Sequence, residues 1–433
     1  MTMAEQARAT LRANDRGGYS VPTARLYPFQ WNWDSAFVAM GWATFDEPRA
    51  WQEIFSLLKG QWDDGMIPHI VFHAPSDDYF PGPAVWRVNH TPPTSGITQP
   101  PVLATAVRHL WDHARDRPAA EASAASVYPS LRRNHRWWQA ARDPERRGLV
   151  ATLHPWETGM DNSPAWDMPL ARVPSETVTP IRRRDTLLVD AAMRPRGDEY
   201  QRFIHLVDLF RDAGWDPAHM LSIAPFRVAD IGTNAILLRA EKDLLALARR
   251  FGTTAEQMEV EARIERLSAA LERLWQQQAG LYASMDLVTH TLCPVATSAG
   301  FLPLFSGHGQ ARTDRLAATL SRWAGRVTRL VPSTDPAFAG FEPKRYWRGP
   351  VWAVVNWMIA DGFAAASDAA TASRIRTDTV ALIETAGLSE YFEPVTGQGI
   401  GGGDFSWTAA IYLMQSSDQA RWTTTLRQSR PGR

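Results

Sequence analysis

Trp156-Glu157-Thr158-Gly159-Met160-Asp161-Asn162-Ser163-Pro164-Ala165-Trp166 sets carboxylates, a turn-permitting glycine and two indoles in one short segment. Those are the groups needed to protonate a glycosidic oxygen while an indole lies against a sugar ring. A second acidic, aromatic, glycine-rich segment lies far downstream: Glu390-Tyr391-Phe392-Glu393, a run from Gly397 to Gly403, then Asp404-Phe405-Ser406-Trp407-Thr408. Glycosidic hydrolysis needs one carboxylic acid and one carboxylate on opposite sides of the scissile bond. Two separated acidic loops supply that pair. In the first, Asp161 is the candidate acid, because burial beside Trp156 and Trp166 would raise its pKa and keep it protonated near neutrality. Glu157 and Asp167 are its rivals, and Asp before Asn-Ser-Pro is also ordinary turn composition. In the second, Glu390 is the candidate base, with Glu393 and Asp404 competing.

Gly397, Gly399 and Gly402 spell GxGxxG. A dinucleotide site also needs a preceding strand, a βαβ unit and an acid about 20 residues further on. The local pattern offers no such context, so no nucleotide cofactor is expected. Near the N-terminus, Tyr27-Pro28-Phe29-Gln30-Trp31-Asn32-Trp33-Asp34-Ser35 offers Asp34 as an acceptor for sugar hydroxyls, with Trp31 and Trp33 as walls. Asp34 would equally cap a helix starting at Ser35. Arginines gather after the first acidic loop (Arg182, Arg183, Arg184, Arg194, Arg196) and around Tyr346-Trp347 (Arg345, Arg348). A guanidinium grips a carboxylate bidentately, so one of them could read an acidic aglycone while the rest are solvated.

Composition narrows the classes. Formal net charge is zero, which gives the chain no drive toward nucleic acid or anionic membrane. The one cysteine, Cys293, rules out an intramolecular disulfide. No stretch approaches the roughly 20 apolar residues of a membrane span, and the polar first residues do not resemble a secretory leader; the expectation is a cytoplasmic protein. The eleven histidines are scattered without an HExxH pattern, so no metal is expected. His109 and His113 fit a helix surface better than a ligand pair. There is no P-loop, and no G-x-S-x-G elbow. Asp63-Asp64 and Asp77-Asp78 lack the third carboxylate of a diphosphate–magnesium site. Nineteen tryptophans are the outlying count, and about half fall in polar, Gly/Pro-rich segments rather than in helical runs, which favours a lined pocket over core packing alone.

The elements that must hold these loops read mainly as helix. Thr253-Thr254-Ala255-Glu256 is a capping box, followed by Met258, Ile264, Leu267, Leu271, Leu274 and Trp275 at helical spacing up to Gly280. Further stripes run over Ile236–Ala248, over Phe203–Phe210 with a stop at Gly214, after Thr98-Gln99-Pro100, and through Val351–Phe363. About a dozen helical segments are expected. Strand-like alternation is confined to Ile67–Phe72 and Leu281–Leu292. Without a linker or repeat, residues 1–433 read as one all-α domain. Its helix-poor stretches (about 61–98, 154–196 and 332–348) are too long for plain connectors. These stretches also carry acids, arginines and tryptophans. Periodicity alone does not separate a closed barrel from a bundle.

The segments Gln30-Trp31-Asn32-Trp33-Asp34-Ser35, Gly65-Met66-Ile67-Pro68-His69, Trp156 to Ser163, Tyr346-Trp347-Arg348-Gly349-Pro350-Val351-Trp352 and Phe405-Ser406-Trp407-Thr408 together resemble glycoside hydrolase family 63, in particular its compact bacterial glucosylglycerate and mannosylglycerate hydrolases. Trehalases share part of the pattern. The resemblance spans about residues 27–410. It implies an (α/α)6 barrel with long loops gathered at one end, and an inverting mechanism without cofactor. It places the acid at Asp161, the base at Glu390 and the sugar-gripping aspartate at Asp34. Trp31, Trp33, Trp156, Trp347 and Trp352 become walls, with Tyr346 beside them. Tyr27, Tyr79, Gln99, and Arg194 with Tyr200 would hold a glycerate. Arg194-Pro195 followed by Tyr200 favours glycerate over trehalose. The segment is unusually basic, and Arg196 is a further candidate for the carboxylate clamp. The expected partner is a small sugar substrate with an anionic aglycone. A trehalase-like or oligosaccharide α-glucosidase and a non-catalytic sugar-binding protein are the alternatives. The sequence leaves glucose versus mannose and the oligomeric state open.

Overall fold

The structure, a computed structural model, describes residues 1–416. Six helical elements form an inner ring: Asn32–Ala43, Leu103–His113, Ile231–Phe251, the 3-10 segment Ser298–Leu304, Ala353–Ala365 and the helix at residues 406–416. Behind them stand Glu47–Leu58, Arg117–Arg142, Thr254–Leu271, Thr313–Ala324 and Ala369–Ala386, each following its inner partner in sequence, with Met3–Ala13 as the sixth outer helix. This is the (α/α)6 barrel.

Local chemistry explains the ring. The helix Asn32–Ala43 is buried from Asn32 to Trp42, and a helix that is apolar around most of its circumference must be an inner one. The ring closes where a Cβ on Gly41 would lie only 2.4 Å from the Cβ of Ala410, so the missing side chain lets the first and last inner helices touch. Caps fix the starts. Asp230 accepts from the backbone N–H groups of Gly232 and Thr233 to begin Ile231–Phe251, and Thr253 and Glu256 form the expected capping box.

Two details depart from the helical stripes. Helix Thr254–Leu271 gives way to a 3-10 turn, Glu272–Leu274, and Trp275 instead begins a two-residue strand paired with Leu281–Tyr282. Met258 faces solvent, because only one face of this outer helix meets the inner ring. Strands are short and few. Ile70–Val71 pairs with Gln30–Trp31, and Val228–Ala229, Met285–Asp286 and Thr291–Leu292 form a three-stranded sheet. Both lie where alternation was expected or against it. Among the described residues, no helix is long and apolar enough to cross a membrane.

Candidate active site

Long connections gather at the N-terminal ends of the inner helices. They line a cavity with both polar and aromatic walls. Tyr27, Trp31, Trp33, Asp34, Tyr79, Gln99, Trp156, Asp161, Arg194, Tyr200, Tyr346, Trp347 and Glu390 all line it. Trp352 does not. It stacks face to face on Trp347, with centroids 3.8 Å apart and rings 1° from parallel, and donates its indole N–H to the Tyr346 carbonyl. It backs the wall rather than forming it. Arg196, the extra clamp candidate, points to Glu342 at the surface and is also outside the cavity.

The rival carboxylates are occupied elsewhere. Glu157 is fully buried, accepting from Arg142 at 2.7 Å and from the Leu153 backbone N–H at 2.7 Å, so it ties the first acidic loop to the barrel. Asp167 receives a bidentate grip from Arg348. Glu393 caps its own turn through Val395 and Thr396. Asp404 is exposed.

Asp161 follows a 3-10 turn, Pro155–Thr158, that ends at Gly159 in the left-handed region (φ +69°). A Cβ there would stand 2.7 Å from the Trp33 indole, so Gly159 is required both for its dihedral and for the close approach. Asn162 accepts from the Trp347 backbone N–H at 3.0 Å and binds this loop to the opposite wall. Burial raises the Asp161 pKa to about 7; Arg194 pulls it down and the Glu390 carboxylate pushes it up.

Glu390 is buried and held from three directions. Its Oε1 accepts from the Tyr27 hydroxyl at 2.9 Å, its Oε2 accepts from the Gly402 backbone N–H at 3.0 Å, and Arg194 Nη1 lies 3.4 Å from Oε1. Burial lifts its pKa above the usual carboxylate range, against Arg194, Gly402 and Tyr27. The glycine run thus cradles a carboxylate. At Gly401 (φ +77°) a Cβ would fall 2.4 Å from Glu390 Oε2. The glycines before it belong to a hairpin pairing Tyr391–Phe392 with Gly399–Ile400.

Asp34 sits in the first turn of its inner helix. Burial drives its pKa well up, with Glu390 and Asp161 adding to the effect over the opposing pull of its own backbone N–H. Gln99 Oε1 accepts from the Trp33 backbone N–H, which fixes its amide in the cavity wall. Arg194 donates to Tyr27 at 2.6 Å and to Asp185 at 3.1 Å, and its guanidinium lies 4.2 Å from the Tyr346 ring centroid. Tyr79 packs edge-on against Trp31 and Phe29, and both Tyr79 and Phe80 line the cavity. The Tyr200 hydroxyl donates to the Phe80 carbonyl at 2.8 Å and holds that segment in place.

Sequence reasoning missed Asp185 and His69 as cavity residues and named Arg184 only within a cluster of arginines. His69 lay in a quoted motif, but its type alone gave no reason to single it out. Burial pushes its pKa well down, leaving a neutral ring with an unpaired buried Nδ1. Asp185 is held down to about 2 by Arg183 and Arg194 in spite of burial. The run Arg182-Arg183-Arg184-Asp185 gave no sign of which charges turn inward. Among the described residues there is no group of three or more His, Cys, Asp or Glu that could hold a metal.

A barrel of this kind, with Asp161 and Glu390 lining one indole-walled cavity, defines the class of a glycoside hydrolase. The chain belongs to the mannosylglycerate hydrolase MGH1-like glycoside hydrolase family, which matches residues 27–408. It is 51% identical over 412 residues to a mannosylglycerate hydrolase of Thermus thermophilus, covering 94% of this chain and 99% of that one. It is 36% identical to the glucosylglycerate hydrolase of Mycolicibacterium hassiacum, covering 95% and 97%. The crystal structure of a glycoside hydrolase family 63 mannosylglycerate hydrolase, also from Thermus thermophilus and in complex with Tris and D-glycerate, superposes with a TM-score of 0.93 at 50% identity, covering 96% of this chain and all of that one.

Proposed function

We propose that this protein hydrolyses α-mannosylglycerate, α-glucosylglycerate or both to the free hexose and glycerate, with inversion at the anomeric carbon. Asp161 protonates the glycerate oxygen as the bond breaks. Glu390 takes a proton from water attacking the opposite face, a single displacement without a covalent intermediate. Asp34 accepts from hydroxyls of the hexose against Trp31, Trp33, Trp156 and Trp347. Arg194, Tyr27, Tyr79, Gln99 and Tyr200 line the aglycone side.

The observation that carries the reading is the buried Arg194 guanidinium, set on the Tyr346 ring and bonded to Tyr27 in the same cavity as Asp161 and Glu390. Asp185 and Glu390 already balance its charge, but its guanidinium N–H groups are of the kind that grip a glycerate carboxylate, which a neutral disaccharide lacks. The names of the relatives support the same substrates. The test is ¹H NMR of the anomeric region from the first minute, with α-mannosylglycerate, α-glucosylglycerate and trehalose in parallel. The expected result is β-hexose from a glycerate glycoside. Cleavage of trehalose alone would return the protein to the neutral α-glucosidases, binding without any cleavage would make it a sugar-binding protein, and α-hexose as first product would overturn the inversion.

A further inference from the structure

We propose that Arg184 is a specificity-determining residue of this site, supplying the charge at the cavity mouth that recruits and holds a carboxylate-bearing aglycone. The inference rests on the function proposed above. The ionisable groups lining the cavity include Asp34, Asp161, Asp185, Glu390, Arg184 and Arg194. Burial keeps Asp34 and Asp161 toward their neutral forms. Asp185 is ionised and bridges Arg183 and Arg194, while Glu390 faces Arg194. Two carboxylates therefore neutralise two guanidinia, so Arg194 alone does not make the aglycone end positive.

Arg184 is the surplus. Its side chain is exposed at the cavity edge, and among the described residues it makes no hydrogen bond or ion pair. Its backbone is nevertheless anchored. It immediately precedes Asp185, which is clamped by two arginines, and its carbonyl accepts from the Leu187 N–H at 3.1 Å. Arg183 is fixed from the other side, donating to the Pro195 carbonyl at 2.7 Å and lying 4.5 Å from the Tyr200 ring centroid. An unpaired cation displayed from a fixed turn at a pocket mouth steers anions and shifts binding, with a strength that falls as salt screens it.

The test compares wild type, Arg184→Ala and Arg184→Lys on an α-hexosylglycerate and on the matching α-hexosylglycerol, which differ by the aglycone carboxylate. With Arg184→Ala, KM for the glycerate compound rises about 3–5-fold, kcat stays within about twofold, and KM for the glycerol compound is unchanged. The fall of wild-type kcat/KM with added sodium chloride becomes shallower in this variant, and Arg184→Lys retains most of the wild-type affinity and salt slope. An unchanged KM and salt slope in Arg184→Ala, or equal rises for both substrates, overturns the inference while hydrolysis by wild type leaves the proposed function standing. A wild type inactive on both glycerate glycosides ends both.

Discussion

Asp161 and Glu390 titrate in one another's field and in that of Arg194. The proposed mechanism requires Asp161 protonated and Glu390 ionised together, so kcat/KM should trace a bell. Its alkaline limb belongs to Asp161 and should fall with an apparent pKa near 7. Its acid limb belongs to Glu390 and should lie above the ordinary carboxylate value. Arg194 lowers both groups. Replacing it by glutamine should therefore move both limbs upward, measured on the neutral hexosylglycerol so that lost aglycone binding does not mask the change. Unmoved limbs would mean that Arg194 does not share their field. On charged substrate the same variant should raise KM far more than on neutral substrate, and equal effects would remove Arg194 from the aglycone clamp. Asp161→Asn preserves shape but cannot donate the proton. It should lower kcat by roughly 10²–10⁴-fold, and a wild-type rate would end its assignment as the acid.

At the scale of elements, catalytic positioning depends on turns whose glycines have no substitute. Gly401 meets Glu390 Oε2 at 2.4 Å and the Tyr391 ring at 2.6 Å from a would-be Cβ, with φ at +77°. Gly401→Ala should displace the base. We expect kcat to fall at least about tenfold, together with a stability loss of roughly 1–3 kcal/mol. Gly403, two residues on, has no atom within 4 Å of a Cβ, and Gly403→Ala should stay near wild type in both kcat and melting temperature; similar losses in both variants would point to general loop damage. This contrast also marks what the sequence made legible. Apolar stripes and the Thr253–Glu256 box located several of the helices, since burial of one face imposes period 3.6, but not which of them stand in the inner ring. Motif resemblance picked out residues as far apart as Tyr27 and Glu390 that meet in one cavity. The role of Gly401 was hidden behind a nucleotide-like spacing, because a glycine pattern records that backbone must approach something and not what it approaches. Trp352 and Trp347 look alike in sequence. Only the stacking of one behind the other separates backing from wall. Charge direction was equally illegible at Arg182 to Asp185, where the side chains that turn inward are chosen by contacts with Arg194, Pro195 and Tyr200.

Across the whole molecule, the barrel holds Asp34, Asp161 and Glu390 together in one cavity, and all three pKa values are raised primarily by burial. The rigid ring maintains an arrangement that is unfavourable when these groups ionise. The consequence is a pH-dependent stability with a definite sign. Between the ordinary value of 3.8 and about 7, folded Asp161 retains a proton that the unfolded chain has released. The folded state then binds more protons, so stability falls as pH rises through that window and levels off above it. The rise from 3.8 to about 7 sets a ceiling of about 4 kcal/mol, reduced because Asp161 is partly accessible to water through the cavity mouth. Asp161→Asn removes this proton linkage. At pH 8 the variant should melt higher than wild type by roughly 1–4 °C for a chain of this size, with the difference shrinking toward pH 4. Calorimetry of both proteins across that range decides the matter: a constant difference, or a less stable variant at pH 8, would show that Asp161 is not carrying a raised pKa in the folded protein. A gain in stability accompanied by lost turnover would identify this carboxyl as one whose strained protonation equilibrium serves catalysis.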